Sequence, residues 1–503
     1  MNNKIAVGLD IGTTKIVALV GRKNENGKIE ILGYGQAKSL GVHRGVVNNI
    51  TQTINSIREA VDKAEQSSGI KITEVTVGIA GQHIRSLQHS DYITRDNSEE
   101  VINDVDIKKL TQQVHKLVML PGEEIIHVLP QDFKVDNEDG IAEPIGMYGS
   151  RLEANFHVVV GQVSSIRNIA HCVKNAGLKL ASMSLEPLAS ASAALSMEEK
   201  EAGVALVDIG GGTTDIAVFK DDIIRHTSVI PFGGNVISDD IKTGCSIIGK
   251  QAELLKQRFG SAWPNLNKET EIVSIPGLKG REAKEISLKR LSQIIHARVQ
   301  EILEQVYLEL KNYGSEDHNK KLIAGIVLTG GGSKLKHIRQ LTEYVTGMDV
   351  RIGFSNEHIV GSKAEEISGP EYATSVGLLM KGLDELDYSL HNEIYDAPIK
   401  ENLKEVVDNV VALQTLTTTE AVEVAITEIA KDEVITERVA NKIEQEKDKE
   451  EIVKPVTKQP EFDDVMGGVV GEAEEGNKVK APKKPTFFSK WTDKFIQMIN
   501  ETE

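Results

Sequence analysis

Asp10-Ile11-Gly12-Thr13-Thr14-Lys15 and Asp208-Ile209-Gly210-Gly211-Gly212-Thr213-Thr214-Asp215 are the two stretches that decide how this chain reads. Each sets an acid at the end of an apolar run, then glycines, then hydroxyls. Apolar residues flank both, 5–9 and 16–20 around the first, 204–207 and 216–219 around the second, so each reads as a β-hairpin closed by a Gly/Thr turn. Glycine lets backbone N–H groups come close to phosphate oxygens, and the hydroxyls add donors. One such turn alone is weak, because any tight turn favours Gly and Asp. Two near-identical copies imply two related halves that face each other and clamp a triphosphate. Asp10 and Asp208 then suit a hydrated Mg2+, which takes one or two carboxylates plus phosphate oxygens and water. Lys15 would neutralise phosphate charge, and Asp215 would orient the second turn or the metal's waters.

Working outward, a third glycine cluster, Gly330-Gly331-Gly332-Ser333, follows a strand read over 323–328 and offers a flat backbone to an adenosine. The dinucleotide fingerprint Gly-x-Gly-x-x-Gly is not met, and the Walker A pattern is absent. Strand-like and helical segments alternate up to about residue 385, which predicts an α/β architecture. Helical periodicity is clearest at Leu288, Leu291, Ile295, Val299, Ile302 and Val306, a stripe that reads first as a core-facing helix.

The 503 residues carry a formal net charge of −17, which argues against a nucleic-acid partner. That charge is concentrated: residues 384–480 hold 25 Asp and Glu against 11 Lys and Arg. Between 397 and 485 the only aromatic residue is Phe462, so a segment this poor in large apolar groups reads as a disordered, self-repelling linker. Two cysteines, Cys172 and Cys245, are too few for a disulfide framework and read as buried reduced thiols. No charged-then-apolar leader precedes the first strand, and no run reaches the ~20 apolar residues that span a bilayer. Any membrane contact is therefore expected from the cytosolic side.

The three glycine clusters, in this order, resemble the actin, DnaK-type chaperone and sugar-kinase superfamily. That resemblance implies an actin-like (ribonuclease H-like) two-lobed α/β fold closing on ATP. Glu186-Pro187 before an Ala-rich stretch (Ala189, Ala191, Ala193, Ala194) looks like the interlobe connection, and Ala373, Ser375 and Gly377 like the returning one. Glu253 and Lys256 match the acid–lysine pair that reaches the nucleotide's sugar and base, with Gly234 a further nucleotide-binding residue. An exposed helical Glu–Lys pair is the plainer reading of those two. Glu186 is the candidate for positioning an attacking water, although an acid at a helix start is also ordinary capping.

From Val75 to Gly161 the chain resembles the SHS2-type subdomain of the FtsA family of actin-like bacterial cell-division proteins. Residues 163–178 and 232–241 resemble that family too. The implied organisation is a first lobe over 1–82 and 162–200, an inserted subdomain over 83–161, and a second lobe over 201–241 and 311–385. The second lobe's small subdomain takes 242–310, an acidic linker takes 386–484, and an amphipathic membrane-targeting helix takes 485–503. The resemblance implies an ATP-binding filament protein with slow or negligible hydrolysis. It would tether the C-terminal peptide of the tubulin-like FtsZ to the membrane and meet other divisome proteins. Arg298 matches a basic residue placed to meet that acidic peptide; a solvent-facing helical arginine is the alternative.

Read as a helix, 487–499 puts Phe488, Trp491, Phe495, Met498 and Ile499 on one stripe, with Phe487 at its edge and Lys490 and Lys494 flanking it. Residues 478–494 carry six lysines and the single acid Asp493, a local reversal of charge that suits an anionic lipid surface. Docking on a protein groove is the alternative. A small-molecule sugar or acid kinase of the same superfamily is the rival for the whole chain, but it needs a catalytic acid facing a second substrate. A chaperone would need a β-rich domain after the ATPase. A pilus-assembly relative would lack the terminal helix, and an MreB-type filament would lack the insertion.

Overall fold

The computed structural model describes residues 4–277, 282–317 and 320–387. Ala6–Ile11 and Lys15–Lys23 pair antiparallel from Ala6↔Gly21 to Ile11↔Ile16, leaving 12–14 as the turn. Every residue of Ala6–Ile11 is buried, so this strand needs cover on both faces and neighbours on both edges. It lies inside a six-stranded sheet, ordered Lys179–Leu185, Glu74–Ile79, Ala6–Ile11, Lys15–Lys23, Ile29–Lys38, Ile359–Val360. Helix Ile50–Ser68 packs Ile57, Ala60, Val61 and Ala64 into that core. Asn49 caps its start by accepting from the Gln52 N–H, and Gly69 ends it in the left-handed region.

The second glycine stretch repeats the plan. Val204–Ile209 and Thr214–Lys220 form a hairpin whose last pair is Ile209↔Thr214. Their sheet runs Ile223–Ile230, Thr214–Lys220, Val204–Ile209, Gly325–Thr329, Val350–Ile352. The strand expected over 323–328 starts later, at Gly325, whose φ of 68° turns the chain into the sheet and leaves Ile323 exposed. The periodic stripe is a core face: helix Leu288–Tyr313 buries Leu291, Ile295, Val299, Ile302 and Val306, with Leu288 packed at the edge.

Between the lobes' elements, a separate antiparallel sheet runs Ile84–Thr94, Arg151–Gln162, Glu123–Val135, Glu138–Ile141. Helix Asp104–Val114 adds Leu110 and Val114 to a core of its own with Phe133, Leu152 and Phe156. The stretch from Val75 divides: Glu74–Ile79 pairs with Ala6–Ile11 in the first lobe, and only from Ile84 does the chain enter the insertion. The insertion also rests on the second sheet's edge strand Ile223–Ile230. Gln131 Nε2 donates to the Ile224 carbonyl at 2.7 Å, His157 Nε2 lies 2.9 Å from Thr227 Oγ1, and Arg225 pairs with Asp132 at 2.6 Å. An edge that would offer unpaired N–H and C=O groups is thereby covered.

Helix Glu186–Ala194 and the helical run 373–387 cross between the lobes. They touch so closely that a Cβ on Gly377 would sit 1.8 Å from the Ala189 carbonyl oxygen. The small residues read there serve that approach. Cys172 and Cys245 are buried free thiols, and burial pushes the Cys172 thiol up to about 11. From residue 388 onward, the acidic linker and the terminal amphipathic segment lie outside the described residues. Among the described residues, no helix is long and apolar enough to cross a membrane.

Candidate nucleotide site between the lobes

The two hairpin turns meet tip to tip. A Cβ on Gly211 would lie 2.3 Å from Thr14 Cγ2, and one on Gly212 would lie 2.7 Å from Thr13 Oγ1. Neither glycine tolerates a side chain, because the opposing turn already fills that space. Gly210 ties the second turn to the next helix: its carbonyl accepts from the Gly234 N–H at 2.9 Å, and the Gly211 carbonyl accepts from the Asn235 N–H at 2.8 Å. The start of helix Gly234–Gly244 is thus held against the turn without a side-chain cap.

At the base of the turns sit buried carboxylates. Asp208 Oδ2 accepts from Ser190 Oγ at 2.8 Å and from Thr374 Oγ1 at 3.2 Å. Asp10 Oδ2 accepts from Ser375 Oγ at 3.1 Å, and Asp215 Oδ2 from Thr213 Oγ1 at 2.9 Å. Burial pushes Asp10 up to about 6, against the opposing pull of Lys15 and the Ser375 hydroxyl. Burial and the Asp208 charge push Asp215 up to about 7. Asp208 is also raised by burial, and its two hydroxyl donors restrain the rise. Glu186 opens the crossing helix; desolvation, then the charges of Asp10, Asp215 and Asp208, hold its carboxyl well above the usual range.

Lys15 Nζ donates to the Glu371 carbonyl at 2.7 Å and lies 3.8 Å from the centre of the Tyr372 ring. The third glycine cluster closes on the same acids. Gly330 has a φ of 79°, and a Cβ there would lie 2.2 Å from Asp208 Oδ1. Ser333 Oγ returns to the Gly330 carbonyl at 2.7 Å, while Gly331 faces open space. On helix Gly249–Phe259, Lys256 pairs with Glu253 at 2.8 Å and also donates to the Gly234 carbonyl at 2.7 Å. The helical pair and the approach to the cleft are therefore one arrangement. Arg298 stands apart. It makes a two-pronged pair with Asp240, at 2.6 and 3.2 Å, and a further pair with Glu301.

The donor set fits a hydrated divalent ion and a phosphate chain. Asp215 Oδ1 is buried without a partner, which leaves an acceptor free for a metal-bound water. Among the described residues, no three His, Cys, Asp or Glu side chains are spaced to hold a metal together. Sequence reading missed two partners of Asp208. Ser190 and Thr374 are hidden in segments that read only for their small residues.

Two family models match. One described as "Cell division protein FtsA" covers residues 205–377, and one described as "SHS2 domain inserted in FTSA" covers 81–160. The cell division protein FtsA of Pseudomonas aeruginosa is 40% identical over 413 residues, spanning 80% of this chain and 97% of that protein. This chain belongs to the FtsA family. The FtsA of Bacillus subtilis is 35% identical over 379 residues, 75% of this chain and 83% of its own length. Among solved structures, the PilM-PilN type IV pilus biogenesis complex superposes with a TM-score of 0.53 at 15% identity. It covers 75% of this chain and 98% of that one, which shows a common fold. The FtsA-family fold here is the actin-like two-lobed class with an SHS2-type insertion. These relatives do not favour the small-molecule kinase alternative.

Proposed function

We propose that this FtsA-family chain is a nucleotide-clamped adaptor of bacterial cell division that binds ATP with Mg2+ between its lobes, assembles into filaments and holds FtsZ at the inner face of the membrane. The observation that carries the clamp is the bonding of Asp208 by one hydroxyl from each crossing segment, Ser190 and Thr374. A change in the charge or position of that carboxylate is felt by both connections between the lobes.

Bound Mg2+ and ATP supply a divalent charge and a phosphate chain. Gly12, Thr13, Thr14, Gly210, Gly211, Gly212, Thr213 and Thr214 form the two turns that would face the phosphates, Thr213 and Thr214 by shaping the second turn through their hydroxyl bonds to Asp215 and the Phe232 carbonyl, and Lys15 adds a positive charge. Asp10 and Asp208 hold the metal's waters, and Asp215 orients them. Gly330–Ser333, Glu253 and Lys256 line the nucleoside end. Glu186 is the group that would accept a proton from water. Burial, then the charges of Asp10, Asp215 and Asp208, raise its pKa and so disfavour the ionised form that accepts a proton, which supports slow or negligible hydrolysis. Rapid turnover by the wild type, lost in Glu186→Ala, contradicts this.

The domain division read from the sequence is retained as an assignment. The terminal segment 485–503 is the lipid contact, Phe488, Trp491, Phe495, Met498 and Ile499 entering the interface with Lys490 and Lys494 on anionic headgroups. FtsZ's C-terminal peptide is assigned to the small subdomain. Arg298 reaches it only by exchanging Asp240, and other divisome proteins join on the remaining surface. The test is calorimetric titration of ATP with and without Mg2+, together with flotation on anionic liposomes. The expected result is Mg2+-dependent ATP binding by wild type and by Trp491→Glu, with only the wild type floating. Equal flotation of both sinks the tether, and no ATP binding sinks the clamp.

A further inference from the structure

The second turn has two ends. At Gly210 it meets Gly234, whose carbonyl Lys256 holds; at Gly212 it meets Thr13 of the opposite turn and the backbone of Arg44. On the proposed reading, the first end faces the nucleoside, so a phosphate chain running along the turn ends at the second. A Cβ on Gly212 would lie 2.9 Å from the Arg44 Cα, and the next N–H along, that of Gly45, donates to Thr13 Oγ1 at 3.2 Å. Arg44 is therefore seated where both turns converge.

Its side chain is in an unusual situation for this cleft. Lys256 is paired with Glu253 and Lys334 with Glu371, at 2.8 and 2.6 Å. Lys15 is anchored on the Glu371 carbonyl and the Tyr372 ring. Arg44 is half-buried, and its guanidinium has no carboxylate or carbonyl partner among the described residues; it lies 5.7 Å from the Phe232 ring, across the cleft in the second lobe. The backbone of Arg44 is held at a φ of 50°, a conformation uncommon for a branched or long side chain and retained only where surroundings impose it. A guanidinium without an anion, on a half-buried residue whose backbone is constrained at the far end of a phosphate-binding turn, is a fork waiting for phosphate oxygens.

We propose that Arg44 binds the terminal phosphate of the nucleotide and so distinguishes a triphosphate from a diphosphate in this cleft. This rests on the nucleotide reading above and adds the residue that senses phosphate number. The same loop carries the signal outward, because Gly45 packs on the chain leading into the insertion: its Cβ position lies 2.7 Å from the Gly81 Cα.

The test compares ATP and ADP affinities, each with Mg2+, for full-length wild type, Arg44→Asn and Arg44→Lys. Asn tolerates the left-handed backbone while removing the charge, and Lys keeps the charge but loses the fork. Arg44→Asn should weaken ATP about tenfold or more, the size of one charged hydrogen bond, and leave ADP within about twofold. Arg44→Lys should lower the ATP-to-ADP preference less than Arg44→Asn does. Equal losses for both nucleotides, or no loss for ATP, overturn the assignment while leaving the nucleotide site standing. If Arg44→Asn does not fold, an unchanged ATP-to-ADP ratio in Arg44→Lys overturns it alone. Wild type that binds neither nucleotide overturns the nucleotide reading, and Arg44's role with it.

Discussion

Ser190 Oγ donates to Asp208 Oδ2 at 2.8 Å, joining the helix that leaves the first lobe to the acid at the end of the second lobe's central hairpin strand. The bond is buried, and it favours the ionised form of an acid whose burial disfavours it. A hydroxyl on the crossing helix therefore sets how readily Asp208 carries charge.

Ser190→Ala should consequently raise the Asp208 pKa further. The protonated fraction then grows as pH falls, so Mg2+-dependent ATP affinity should drop more at the lower of two pH values than at the higher. Titrations at the two pH values measure this. An equal loss at both would mean that Ser190 acts by packing alone.

Asp215 makes an opposite prediction for stability. Its folded pKa is about 7 against an ordinary 3.8, so between those values the unfolded chain is ionised while the folded one stays protonated. Stability of the nucleotide-free protein is thus lost as pH rises from about 4 to about 7. Asp215→Asn cannot ionise and keeps an acceptor for Thr213. It should be more stable than wild type at pH 8, by a few kcal/mol in order of magnitude, with the difference shrinking toward pH 4. Denaturant melts of both proteins across that range provide the check.

Among the glycines of the described residues, Gly377 at the crossing of the two connections leaves the least room for a side chain. Gly377→Ala would drive a methyl into the Ala189 carbonyl, backbone against helix, with neither free to yield. Overpacking of this kind costs about 3 kcal/mol or more. Gly249→Ala, at a helix start with nothing within 4 Å, is the control and should be neutral or slightly stabilising. Thermal melts of the two variants separate the cases.

The insertion's seat on the second lobe is testable by hydrogen exchange. Thr227→Val removes the partner of His157 Nε2, a buried imidazole whose pKa burial pushes down to about 4. Exchange in Ile84–Thr94 and Ile223–Ile230 should quicken relative to the rest of the chain. Unchanged protection in both strands would show that the contact does not hold the insertion in place.

Much of this architecture is legible in the residues themselves. Both hairpins follow from apolar runs around Gly/Thr turns, and the Leu291–Val306 stripe follows from helical period. What the residues hide is partnership across long sequence distances. Ser190 reads as one small residue among alanines until the fold brings Asp208 beside it. Arg44 sits in a short loop, and only the meeting of Thr13 with Gly212 gives that loop a position. Arg298 shows the reverse: its helix is plain in the sequence, but not its engagement by Asp240 on a different helix. The strand reads as starting too early, before Gly325, because Ile323 is apolar, and hydrophobicity alone does not reveal a positive φ.

Electron microscopy of the full-length protein on an anionic lipid monolayer tests the adaptor role most directly. With Mg2+ and ATP a nucleotide-clamped adaptor should form filaments lying on the lipid, lost without nucleotide and lost from the lipid in Trp491→Glu. Filaments that form equally without nucleotide, or that bind the lipid equally in Trp491→Glu, would contradict it.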